Sequence, residues 1–246
     1  MTPRLHVPAP LVAGAHLALP ERAARHVQVL RLQPGDTVRL FDGRSACEWE
    51  ARIERIGRRD VDVTLAVAPD AVDREIARRV VLAVGMPAND RMDGLVEKAT
   101  ELGAAGIVPL VTMRSVLRLV GDRAEARQRH WQLVAEAACE QSGRTVVPAV
   151  AAPQPLAAFL RDHDRAQQGV VLSLGDGAPP PPSVPALDGE DALTLLSGPE
   201  GGLAPDEEEA CRSAGFAPVS LGRRTLRADT APLALLAWLA LRSPWS

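Results

Sequence analysis

The chain has 246 residues, 46% of them hydrophobic and 24% charged, a balance that suits a soluble globular protein with one large core or two smaller ones. Its longest apolar stretch, residues 230–241, falls short of the roughly 18 residues of a membrane-spanning helix, and no signal-peptide pattern opens the chain, so a cytoplasmic protein with no membrane partner is expected. The formal net charge of −3 argues against a nucleic-acid binder until it is divided: twenty basic residues face seventeen acidic ones up to position 130, and eight face fourteen beyond it.

Residues 1–70 read as a small all-β domain. Period-two alternation passes through Val27 and Val29 in HVQVLRL, through TVRLF, through Trp49, Ala51 and Ile53, and through Val61, Val63, Leu65 and Val67, which predicts short strands. Turns fall at QPGD (33–36) and FDGR (41–44), with a helical turn at residues 20–25 as the one interruption. Closing such strands into a barrel removes exposed sheet edges.

Residues 71–246 read as an α/β domain. VVLAVG (80–85) is a continuous apolar run of the kind a strand covered on both faces requires. Met92, Leu95, Val96, Ala99 and Leu102 then share one helical face that Gly103 ends, and GIVPLV supplies the next buried strand. The alternation continues with a helix over 124–141, TVVPAV, a helix over 155–161, VVLSLG, LTLLSG, a helix over 205–214, PVSLG and a last apolar helix from Asp229. This order predicts a mostly parallel sheet with helices on both faces. The prolines at 179–182 read as a solvated spacer.

Five segments hold residues suited to chemistry. SGPEGGL (197–203) follows an apolar strand and precedes Pro205 and an acidic helix start, where Gly198, Gly201 and Gly202 permit positive φ and close ligand approach. Phosphate binding is disfavoured because the carboxylates repel an anion and no Walker lysine or GxGxxG spacing is present. A neutral or cationic ligand fits, and so does a simple tight turn. SLGRRTLRADTA (220–231) places Arg223, Arg224 and Arg227 before an apolar helix, as ligand groups or as a solvated turn. Glu97, Lys98 and Glu101 read as an ion-paired helix face, and Arg144 emerges where a helix meets a strand. Arg25, His26 and Arg31 suit a phosphate backbone or plain solvent exposure. Cys47, Cys139 and Cys211 are too widely spaced for a disulfide framework, and neither they nor the five histidines show ligand spacing, so reduced thiols and no metal are expected.

Taken together and in order, RHVQVLRLQPGD, DRMDGLVEKATELGAAGIVPLVTMRSV, HWQLVAEAACEQSGR, SGPEGGLAPDE and SLGRRTLRADTA resemble the bacterial 16S ribosomal RNA uridine-N3 methyltransferases of the SPOUT superfamily. That resemblance implies a PUA-like, RNA-binding β-barrel at 1–70, and over 71–246 a SPOUT α/β domain whose chain end forms a trefoil knot. It also implies a homodimer through the knot domain that acts on 16S ribosomal RNA or the small ribosomal subunit. S-adenosyl-L-methionine is then the cofactor, held by Leu172, Leu174, Leu196, Ser197, Gly198, Pro199, Glu200, Gly201, Gly202, Leu221, Gly222 and Leu226. Arg227, Asp229 and Arg224 become the catalytic residues, and Arg4, Arg25, His26, Arg31, Arg91 and Arg144 the RNA contacts. Three positions depart from the family pattern, the first being Ala228, where threonine or serine is common. Asp229 stands where glutamate is common, and Arg91 where many relatives have lysine. The rival readings are another RNA acceptor, such as a 2′-hydroxyl, and a non-catalytic RNA-binding dimer.

Overall fold

The computed structural model describes residues 2–88, 91–175 and 177–242. Two compact units are formed, Met1–Glu75 with Glu136–Val147, and Ile76–Ala135 with Pro148–Ser246. Asp90, which opens the second of the family-like motifs, lies outside the described residues. No helix among the described residues is long and apolar enough to cross a membrane.

The first unit contains β1 (Arg4–His6), β2 (His16–Ala18), α1 (Glu21–Val29), β3 (Thr37–Phe41), β4 (Cys47–Ile56), β5 (Val61–Leu65) and β6 (Asp70–Ala71). Its strands pair in the order β1-β3-β4-β5-β2, with β6 on β4. Among the described residues this path ends at β1 and β2 and does not close into a hydrogen-bonded ring. Alternation set the inward face as expected, since Ala51, Ile53, Val61 and Val63 are fully buried. Val67 lies beyond the strand and is 86% exposed.

The HVQVLRL segment departs from its strand reading. Its first four residues, 26–29, close α1, whose Ala23, Ala24 and Val27 are buried while Val29 is 70% exposed. Positions 23 and 27 are one helical turn apart and face the core together, a spacing that outweighs the two-residue echo between Val27 and Val29.

The second unit is an α/β layer structure. It comprises β7 (Val80–Gly85), α2 (Arg91–Glu101), β8 (Gly106–Val111), the first part of α3 (Asp122–Ser142), β9 (Ala149–Val150), β10 (Gln154–Pro155), α4 (Leu156–Asp162), β11 (Gln168–Leu172), β12 (Leu193–Ser197), α5 (Pro205–Ser213), β13 (Phe216–Val219) and α6 (Thr230–Arg242). The sheet runs β10-β8-β7-β12-β11-β13, with β9 on β8, and every pairing in it is parallel. Central strands β7 (VVLAVG) and β12 (LTLLS) are buried on both faces, which suits their mostly apolar make-up.

Two segments of the α/β region differ from their reading. TVVPAV forms a strand only over Ala149–Val150, while Val146 makes an isolated bridge to Gly43. The proline run passes into two tight 3-10 turns, Pro181–Ser183 and Pro185–Leu187. Val184 between the turns and Leu187 in the second are 2% and 3% exposed, so apolar anchoring converts a solvated spacer into a fixed connection.

Residues 136–147 join the first unit through arginine. The Arg4 guanidinium reaches the carbonyls of Cys139, Glu140, Gly143 and Arg144 and pairs with Glu48 at 2.6 Å. Glu48 also receives Arg74 at 3.3 Å. Arg4→Ala should lower unfolding stability by about 3 kcal/mol, because a buried charge and several carbonyls lose their partner. Denaturant unfolding of the variant checks this, and a change under about 1 kcal/mol would show that the network is dispensable.

Candidate active site at the carboxyl edge of the parallel sheet

Parallel strands all end on one edge, so the loops leaving β11, β12 and β13 converge there, at the place where open α/β sheets bind ligands. They line a solvent-open hollow whose walls are mostly apolar with a few polar groups, the character of small-molecule sites. Leu172, Leu174, Val219, Leu221 and Leu226 give it apolar walls, and residues 197–200 with Gly202 form one rim.

The 197–202 loop is held by close packing. A Cβ on Gly85 at the end of β7 would sit 2.5 Å from the Pro199 nitrogen, and one on Gly198 would sit 2.8 Å from the Leu203 nitrogen. Neither position has room for a side chain. Of the three glycines expected to use positive φ, Gly202 does so, at 69°, and its N–H donates to the Pro199 carbonyl at 2.8 Å.

Side chains from outside the motif hold the loop as well. Arg114 Nη1 donates to the carbonyls of Gly201 and Leu203 at 2.7 and 3.2 Å. Glu207 accepts from the N–H groups of Ala204 and Met113 at 2.9 and 2.8 Å. Glu200 accepts from the Ala88 N–H at 2.9 Å and faces Arg91 at 3.4 Å. The contacts of Arg114 with Gly201 and of Glu207 with Met113 were not legible, because they span 87 and 94 positions, whereas the contact of Glu207 with Ala204 is local to the helix start.

The third wall is the crossing from β13 to α6. Ser220 N–H donates to the Pro179 carbonyl at 2.8 Å, and Ser173 N–H to the Val219 carbonyl at 3.0 Å. Arg224 lines the hollow. Arg227 is exposed, and its carbonyl accepts from Thr230 and Ala231 at 3.0 and 2.9 Å to begin α6. Two buried oxygens, Ser197 Oγ and Asp229 Oδ1, have no hydrogen-bond partner among the described residues.

Of the residues expected around a cofactor, Leu172, Leu174, Ser197, Gly198, Pro199, Glu200, Gly202, Leu221, Gly222 and Leu226 line this hollow. Leu196 is fully buried in the core beneath it, and Gly201 backs onto the Arg114 side chain. Ser173 and Thr225 of the same loops line it too, and Val219, Ala228 and Ala231 line it without having been expected. The expected RNA contacts divide by burial. Arg25 and Arg31 are exposed, and His26 is half-buried 3.9 Å from Glu140. Arg4 and Arg144 are corrected to internal roles, Arg4 in the network above and Arg144, 3% exposed, in an ion pair with Glu75. Both occupy desolvated positions, where a guanidinium needs a protein acceptor. Burial pushes the Cys139 and Cys211 thiols up to about 12, which leaves no thiolate at neutral pH.

Comparison with known proteins adds a chemical context. A family model described as "RNA methyltransferase domain" matches residues 74–240, and one described as "RNA methyltransferase PUA domain" matches residues 19–66. The ribosomal RNA small subunit methyltransferase E of Synechocystis is 31% identical over 96% of this chain and 77% of its own length. That of Bacillus subtilis is 29% identical over 88% and 86%. Among solved structures, a methyltransferase from Legionella pneumophila in complex with bound cofactor SAM has a TM-score of 0.91 and 31% identity, covering 98% of both chains. A ribosomal RNA small subunit methyltransferase E from Neisseria gonorrhoeae bound to S-adenosyl methionine has a TM-score of 0.90 and 32% identity, covering 97% of both.

Gly85→Ala should displace the 197–202 loop and cost about 1–3 kcal/mol of stability, since backbone atoms cannot yield as a flexible side chain would. Amide exchange of residues 198–203 should quicken. Wild-type stability and exchange in this variant would contradict the close approach.

Proposed function

The chain belongs to the RNA methyltransferase family, and from that membership we propose that it methylates N3 of a uridine in the RNA of the small ribosomal subunit, using S-adenosylmethionine. The observation that carries the cofactor reading is the hollow itself, in which apolar walls meet the glycine rim and the unpartnered, buried Ser197 Oγ. Leu172, Leu174, Leu221 and Leu226 suit the adenine, and Ser197, Gly198 and Gly202 suit its polar groups and ribose. A buried hydroxyl without a partner costs free energy that a bound ligand restores. When bound, S-adenosylmethionine supplies a methyl group on a cationic sulfur, whose charge is compatible with Glu200 on the rim.

The acceptor imposes the rest of the mechanism. Uridine N3 carries an imide proton, and its lone pair reaches a methyl group only after that proton leaves. Arg224 in the hollow, together with Arg227 beside it in sequence, stabilises the negative charge that grows on the pyrimidine oxygens. Asp229 takes the proton or holds Arg227 in place, two roles that a pH–rate profile separates. Its buried, unpartnered Oδ1 supports a role in the site. The base leaves its stack to enter, and contacts of Arg25, His26 and Arg31 in the N-terminal, PUA-like domain with the surrounding RNA offset that cost.

The same reading places the reaction in the cytoplasm, makes the protein a homodimer through its methyltransferase domain, and threads the 220–229 crossing through the 173–192 loop as a knot. Residues 1–70 then serve as the RNA-binding domain and residues 71–246 as the catalytic one.

Mass analysis of nucleosides from ribosomal RNA treated with the protein and cofactor tests the acceptor. N3-methyluridine is expected, and 2′-O-methylation would overturn this assignment. Arg224→Ala and Arg227→Ala should each slow single-turnover transfer by about 100-fold, with cofactor affinity nearly unchanged for Arg227→Ala. Asp229→Asn should also be slow, with partial recovery at high pH if the carboxylate is the base.

A further inference from the structure

The loop between β8 and α3 belongs to neither the sheet nor the hollow, yet it is anchored at its base and bare at its tip. Thr112 and Ser115 are 4% and 6% exposed, and the Thr112 N–H donates to Ser115 Oγ at 3.0 Å. Arg114 and the Met113 N–H bind the glycine-loop carbonyls and Glu207 as described. Beyond these anchors Met113, Val116 and Val120 are 66%, 79% and 80% exposed. Apolar side chains held in water by a rigid base imply a partner.

Charge identifies the partner's chemistry. From position 113 to 129 five arginines face two carboxylates, in a chain of net charge −3. Arg118, Arg123 and Arg127 are exposed, and their guanidinium groups make no hydrogen bond or ion pair among the described residues. Arg123 and Arg127 lie one turn apart on the same face of α3. Unpaired guanidinium groups beside exposed apolar side chains match an unpaired RNA strand, which presents phosphates and unstacked bases together.

We propose that residues 113–120 grip the RNA strand beside the reacting nucleotide, with Arg118 on its phosphates and Met113 and Val116 against an unstacked base. This deepens, and rests on, the reading of the chain as a ribosomal RNA methyltransferase. Arg114 is a positioning residue here. It bonds the RNA-gripping loop directly to the glycine rim, so strand and cofactor are held on one piece of backbone.

The test uses the full chain, in vitro transcribed small-subunit ribosomal RNA and S-adenosylmethionine. Arg118→Ala should weaken RNA binding about tenfold and lower the slope of log affinity against log salt by about one, because one phosphate contact is lost. Its KM for RNA should rise while kcat and cofactor affinity hold. Arg118→Lys should restore the slope. Met113→Ser with Val116→Ser should weaken binding and leave the slope unchanged. All these side chains are exposed, so the fold is spared. Unchanged RNA affinity and slope in both Arg118→Ala and the serine pair, with a wild-type protein that binds RNA and cofactor, would overturn the proposal. So would a sedimentation shift in the serine pair at unchanged RNA affinity, which would give the face to a second copy of the chain. A wild-type protein that binds neither RNA nor cofactor would overturn the functional reading and this proposal together.

Discussion

The chain must return across its own sheet. Strand β13 pairs outside β11 at one edge, yet α6, the next element, packs on α2, β7 and β12 nearer the centre. Residues 220–229 therefore cross the carboxyl ends of β11 and β12, and this crossing roofs a hollow that would otherwise be an open sheet edge. The hydrogen bonds from Ser220 to Pro179 and from Ser173 to Val219 hold the crossing in place. They make the loop after β11 a structural part of the site, and the burial of Val184 and Leu187 secures that loop in turn.

Close packing sets the other rim. Gly85, Gly198 and the backbone of residues 199–203 approach within distances that exclude any Cβ, so the rim's position is defined by backbone against backbone. Such contacts do not relax through rotamers, and a ligand bound there meets a preformed surface. Arg114 and Glu207 extend that rigidity to the neighbouring loop after β8. The same two side chains thus fix the cofactor rim and present the exposed tip that the RNA proposal employs.

In the first unit burial, rather than surface charge, governs the arginines. Arg4 and Arg144 look alike in sequence to Arg25 and Arg31, but their guanidinium groups are desolvated and bound to carbonyls and carboxylates. A buried cation is tolerable only with such partners. Arg25 and Arg31 keep their charge in water and remain able to meet phosphate.

Local pattern alone located strands β7, β8, β11, β12 and β13 of the parallel sheet, the α2 and α5 helices and the order of the glycine and arginine loops, because alternation, helical spacing and apolar runs are properties of neighbouring residues. Of the two-residue strands, β9 is only the end of the TVVPAV run and β10 was not located by it. The five motifs in order carried only a resemblance to a known family, which the family models then matched. Pattern failed at HVQVLRL, where a two-residue echo of valines concealed a helical face formed with Ala23 and Ala24. It failed again at the proline run, where anchoring by Val184 and Leu187 decides the conformation. Only the tertiary structure decided that Arg224 lines the hollow while Arg227 starts a helix, that Arg4 and Arg144 are internal, and that Arg114 and Glu207 hold the rim. Each of these depends on which distant backbone comes within hydrogen-bond reach and on how much water is removed, and neither quantity is encoded in the spacing of residues along the chain.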